Sequence, residues 1–96
     1  MLEDLQLQKL ARDIVRKSLP AINLEDVVTV PMTDSEGEAA LRITLVLTPE
    51  SAEAMTGKDA LKLLVELKDA FFREGEERFA LVEYATHDDL DGPDEE

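Results

Sequence analysis

The sequence predicts an α+β fold in two layers, with elements in the order α-β-β-(αα)-β: a small three-stranded sheet with its helices packed on one face. Three observations carry this prediction. LRITLVLT (residues 41–48) alternates apolar and polar positions with the period of a strand that has one wet face. Residues 7–18 and 60–72 instead repeat apolar positions every three or four residues, the spacing of a helical face. A β-branched run, EDVVTVPM, lies one polar loop upstream of LRITLVLT, so the two read as a hairpin.

The first helix is expected over residues 3–19. Leu7, Leu10, Ala11, Ile14, Val15 and Ser18 fall on one face. Glu3 and Asp4 open it, Arg16 and Lys17 close it, both favourable to the helix dipole, and Pro20 stops it. Strands follow at 25–32 and 41–48. Pro31 cannot donate a ladder hydrogen bond, which places it at a strand end or edge. Leu41, Ile43, Leu45 and Leu47 are expected to face the core, and Arg42, Thr44, Val46 and Thr48 the solvent. Thr48 and Pro49 suit the start of a short helix. Thr56-Gly57 interrupts it, and Thr56 with Asp59 resembles a capping box that opens a second helix over residues 58–74. That helix has its stripe at Ala60, Leu61, Leu64, Leu67 and Phe71, widened by Leu63, Val65 and Phe72. Lys62–Glu66 and Asp69–Arg73 are candidate ion pairs on its wet side. Gly75 suits a helix C-terminus. RFALVEYA (residues 78–85) is the last strand, with a right-handed crossover if it runs parallel to the strand before the helices.

The 96 residues suit one domain with one modest core; a chain this size buries only about two-thirds of its unfolded surface. With four aromatic residues, Phe71, Phe72, Phe79 and Tyr84, that core is mostly aliphatic. There is no cysteine, which excludes disulfides, thiolate nucleophiles and cysteine-bound zinc. No apolar run is long enough to span a membrane, and MLEDLQLQKL lacks the basic start and apolar block of a signal peptide. The expectation is a soluble, cytoplasmic protein. Residues 1–86 are expected to form the globular domain and residues 87–96 a disordered acidic tail.

The net charge is −13. Residues 79–96 carry seven carboxylates and no Lys or Arg, more than half of the excess. Such a field repels nucleic acid and anionic lipid and attracts basic proteins. Lys9, Arg12 and Arg16 form the one basic cluster, on the first helix opposite its apolar stripe.

Tests for chemistry exclude more than they find. His87, the single histidine, adjoins Asp88 and Asp89, but no nucleophile or pocket accompanies them. Aligning Gly92 with the glycine of a calcium loop places Asp89 and Asp91 correctly, yet puts His87 at the first ligand position and the last ligand beyond residue 96. Gly57-Lys58 lacks the other glycine and the Ser/Thr of a phosphate loop. No catalytic, cofactor-binding or metal-ligating set is expected.

Two resemblances add to this reading. With EAMTGKDALK at the junction of the paired helices, the element order resembles prokaryotic KH-type domains and the ribosome-binding factor A family. That resemblance implies RNA or pre-ribosome binding through basic surfaces; here the GxxG signature is missing and the charge has the wrong sign. DALKLLVELKDAFFREGEERFALVEYAT is similar to small acidic bacterial proteins with a G-[ED]-x-RF-x-x-x-x-YAT ending, matched by Gly75, Glu76, Arg78, Phe79, Tyr84, Ala85 and Thr86. That resemblance implies an antitoxin-like role beside HEPN-type proteins.

Together these point to a non-enzymatic, acidic interaction module for a basic protein partner. Phe79 and Tyr84 are its candidate apolar anchors, and Asp88, Asp89, Asp91, Asp94, Glu95 and Glu96 its electrostatic ones. A KH-like RNA-binding or ribosome-assembly factor and an acidic nucleic-acid mimic that inhibits a defence protein are the alternatives. A homodimer through a sheet edge is compatible with each.

Overall fold

A computed structural model describes residues 2–87. Its elements are α1 (Asp4–Ser18), β1 (Leu24–Thr33), β2 (Ala39–Leu47), α2 (Pro49–Ala54), α3 (Gly57–Arg73) and β3 (Phe79–Ala85). The strands form one sheet in the order β1-β2-β3. β1 and β2 are antiparallel and β2 and β3 parallel, so α2 and α3 make the crossover. The fold is therefore the two-layer α+β arrangement that the periodicities predict.

The hairpin turns at residues 34–38. Asp34 Oδ1 accepts from the backbone N–H of Glu36 and of Glu38, both at 2.9 Å. Gly37 supplies the positive φ, +85°, which a side chain would strain.

Register fixes which side chains meet the helices. Val27 pairs with Leu45, Thr29 with Ile43 and Pro31 with Leu41, while Leu41, Ile43 and Leu45 pair with Ala80, Val82 and Tyr84 on β3. All but Thr29 and Pro31 belong to, or pack against, the core, together with Leu7, Ala11 and Val15 of α1 and Leu63, Leu67 and Phe71 of α3. The i, i+4, i+8 spacing on each helix makes one apolar row over the sheet.

The caps follow their sequence signals. Thr48 Oγ1 accepts from Ser51 N–H at 3.2 Å. Thr56 Oγ1 accepts from Asp59 N–H at 3.0 Å, and Asp59 Oδ2 accepts from Thr56 N–H at 3.3 Å. Buried Ser51 also accepts from Asn23 N–H through Oγ, at 2.8 Å, which ties α2 to the loop before β1.

The wet side of α3 differs from expectation at one pair. Asp69 and Arg73 meet at 2.6 Å. Glu66 instead accepts from the Ser18 hydroxyl, and Lys62 Nζ lies 3.4 Å from the Ser18 carbonyl. The last turn of α1 leaves carbonyls without helical partners, and α3 is close enough for its lysine to serve one of them.

One buried polar atom is left over: Thr29 Oγ1 finds no hydrogen-bond partner among the described residues. Thr29→Val keeps the β-branched shape and removes that atom. It is expected to raise stability by about 1 kcal/mol in urea unfolding, with an unchanged dependence on denaturant.

Candidate interaction surface

β3 is held at its start by a buried ion pair. Gly75, at φ +96°, ends α3. Three residues later Arg78 turns back onto Glu76: Nε donates to Oε2 at 2.8 Å and Nη2 to Oε1 at 2.9 Å. The Glu76 side chain is fully enclosed and that of Arg78 nearly so. The backbone N–H groups of Arg78 and Leu2 donate to the same carboxylate, at 2.8 and 2.9 Å, and Arg78 Nη2 also donates to the Leu2 carbonyl at 3.0 Å. Residues 74 positions apart are thereby joined.

The Arg78 hydrogen bonds, together with those from the backbone, hold the Glu76 carboxyl at about 2 against an ordinary 4.5, although burial opposes this. Glu76 in turn raises the Arg78 pKa.

The helix-free face of the sheet carries the alternate residues. Its expected polarity is only partly found. Arg42 and Glu83 pair there at 3.5 Å, and Thr44 Oγ1 donates to Glu83 at 3.4 Å. Around them the face is apolar: Val46 and Ala40 are buried, Val28 and Met32 half-buried, and Val30, Leu81 and Phe79 remain 44%, 41% and 55% exposed. Thr44 and Val46 belong to the row read as solvent-facing, yet Thr44 is buried and Val46 fully covered. Val46 lies on the central strand, and His87 Nε2, just past β3, reaches Glu25 Oε1 of β1 at 3.4 Å. That contact runs across β2 at the level of Val46. Position in the sheet, rather than alternation, decides its burial.

The two aromatic candidates separate. Phe79 opens β3, and its ring lies under Lys68 Nζ, 4.1 Å from the centroid, at the sheet's outer edge. Tyr84 faces the helices: it packs on the core, its hydroxyl lies 3.4 Å from the Ala60 carbonyl, and burial raises the phenol's pKa. Asp88, Asp89, Asp91, Asp94, Glu95 and Glu96 lie outside the described residues. In the basic cluster, Arg12 meets Asp26 at 3.2 Å and Arg16 meets Asp13 at 3.8 Å.

Depressions on the described surface are open and shallow. One of about 400 Å³, where the α2–α3 turn meets the end of β3, is lined by Leu47, Met55, Gly57, Ala60, Tyr84 and Thr86 among others, with no charged residue. Among the described residues no group of three or more His, Cys, Asp or Glu side chains could hold a metal ion, and no helix is long and apolar enough to cross a membrane. Comparison with family models, curated proteins and solved structures gave no match for this chain.

The lowered Glu76 pKa is a statement about stability. Holding it at about 2 instead of 4.5 corresponds to roughly 3 kcal/mol of preference for the ionised form. Because the folded-state value is depressed, that stability is fully present above about pH 4.5 and is lost as pH falls towards 2. Glu76→Gln leaves Arg78 buried without a counter-charge. It is expected to cost about 3 kcal/mol at neutral pH and to flatten the acid limb of the stability profile, both measurable by urea unfolding at a series of pH values.

Proposed function

We propose that this chain is a non-enzymatic interaction module that binds a basic protein surface on the helix-free face of its sheet, in the manner of an antitoxin or inhibitor. The observation that carries the reading is the exposure of Leu81 and, across Arg42, of Val30 on the helix-free face, with Phe79 exposed at its edge, on a chain of net charge −13. Exposed apolar groups beside charge of one sign are the ordinary composition of a docking surface: the apolar part holds the complex and the charge selects and steers the partner. Glu83 and Glu25 stand on or beside this face. The acidic residues after His87 add to association rate on this reading. Phe79 is the aromatic anchor on this reading; Tyr84 supports β3 from the helix side.

The sign of the charge argues for a cationic macromolecule rather than RNA, whose binding leans on Lys and Arg that displace counterions. The partner on this reading is a protein that itself handles nucleic acid and whose basic surface the chain covers.

Immobilised chain in native lysate tests this. Basic proteins are expected to be captured at low salt and released as salt rises. Leu81→Asp is expected to weaken capture at least about tenfold while leaving the unfolding curve in place. Removal of residues 87–96 should slow association more than it speeds dissociation. Salt-sensitive RNA binding in a gel shift, or capture that ignores Leu81→Asp, would overturn the reading.

A further inference from the structure

α3 carries two apolar rows, and the sheet uses one of them. Leu63, Leu67 and Phe71 are buried, whereas Leu61, Val65 and Phe72 are 62%, 57% and 76% exposed. The sequence merges these rows into one wide stripe; the fold separates them. Glu66 and Lys62 face α1 through their contacts with Ser18, and Lys68 reaches Phe79 on β3. The second row, with Lys68 in it, is therefore turned away from α1 and stands above the outer edge of β3.

That edge has no partner strand among the described residues. Nothing in FALVEYA protects it: there is no proline, no lysine and no bulge, and its one charged side chain, Glu83, is engaged by Arg42. The opposite edge is blunted. β1 contains Pro31, a register irregularity between Leu24 and Asp26, and the Arg12–Asp26 pair.

We propose that the outer edge of β3 and the Leu61–Val65–Phe72 row of α3 together form the interface of a two-fold homodimer. In it the two β3 strands pair antiparallel and the two α3 helices lie side by side.

A second copy is the occupant because the surface complements itself. Tyr84 lies against Ala60, and Ala80 joins Phe71 in the core, so Val82, the middle of β3, sits below the middle of α3. One two-fold axis through Val82 serves both elements, as an isologous interface requires. It brings Leu61 of each copy towards Phe72 of the other, and Val65 towards the apolar stem of Lys68. It also carries Lys58, at one end of the row, towards Glu74 and Glu77 at the other end. All three are exposed and make no ion pair within the described residues.

The dimer joins two chains of net charge −13. Its affinity should therefore rise with salt as their mutual repulsion is screened. Binding to a basic partner should fall with salt, so the two associations are distinguishable.

Sedimentation of the purified full chain is the test. Twice the chain mass of 10.7 kDa is expected, with tighter association in half-molar salt than at low salt. Phe72→Glu and, independently, Val65→Glu each substitute an exposed position. Each is expected to weaken dimerisation about a hundredfold without moving the unfolding curve of the dilute monomer. Lys58→Glu should weaken it less, and adding Glu74→Lys with Glu77→Lys should restore it. A wild-type chain that stays monomeric at high micromolar concentration in half-molar salt overturns the proposal. So does a dimer that survives both α3 substitutions.

Discussion

The Glu76–Arg78 pair is the constraint on which the placement of β3 depends. A parallel strand has no tight turn to set its register; it arrives through a crossover, and its first residues must be fixed by something other than its neighbour. Here the loop after α3 folds around one enclosed carboxylate that accepts from the Arg78 guanidinium, from the Arg78 backbone and from Leu2. Each charge has a counter-charge, and the carboxylate's oxygens are hydrogen-bonded, which is the condition under which a buried pair can be tolerated at all. Because Arg78 and Glu76 both bind Leu2, the start of α1 is anchored by the same group that starts β3. The start of the described chain is thus coupled to the start of its last strand through the Glu76 and Arg78 side chains.

This pair was not legible in the sequence. A chain with 23 acidic residues gives no composition signal for the one that is buried, and carboxylates as a class read as solvent-facing. A signal was present in another form. Glu76 and Arg78 are separated by a single residue and follow a glycine suited to ending a helix, which is a geometry in which an arginine can fold back on a glutamate. The Gly75, Glu76, Arg78 and Phe79 portion of the ending noted in the sequence now has a structural account: helix stop, buried pair, strand start.

Other elements were legible to the extent that local periodicity decides them. The strand at β2, the capping box at Thr56 and the order of the elements depend on neighbours within a few residues, and they stand as read. Val46 and the two rows of α3 do not. Val46 lies on the central strand with Asp26 and Ala85 paired to it on either side, and it is covered although it belongs to the outward row. Leu61, Val65 and Phe72 are as apolar as the residues beside them, and hydropathy alone cannot say which row meets the sheet. That choice is made by α1, which occupies one flank of α3 and leaves the other open.

The surplus apolar surface and the surplus charge bear on each other. A domain this small has little core to spare, and side chains as large as Phe72 and Leu61 placed outside it contribute nothing to folding there. The net charge of −13 opposes self-association at a distance, but it acts mainly through exposed groups and is screened within about 10 Å at moderate salt. Around α3's outer row both signs occur, with Lys58 and Lys68 on the row and Glu74 and Glu77 beyond its far end. On the helix-free face Glu83 meets Arg42 and Glu25 meets His87. A two-fold axis along the β3 edge would extend the helix-free face from three strands to six, with Phe79, under Lys68 of the outer row, at the seam.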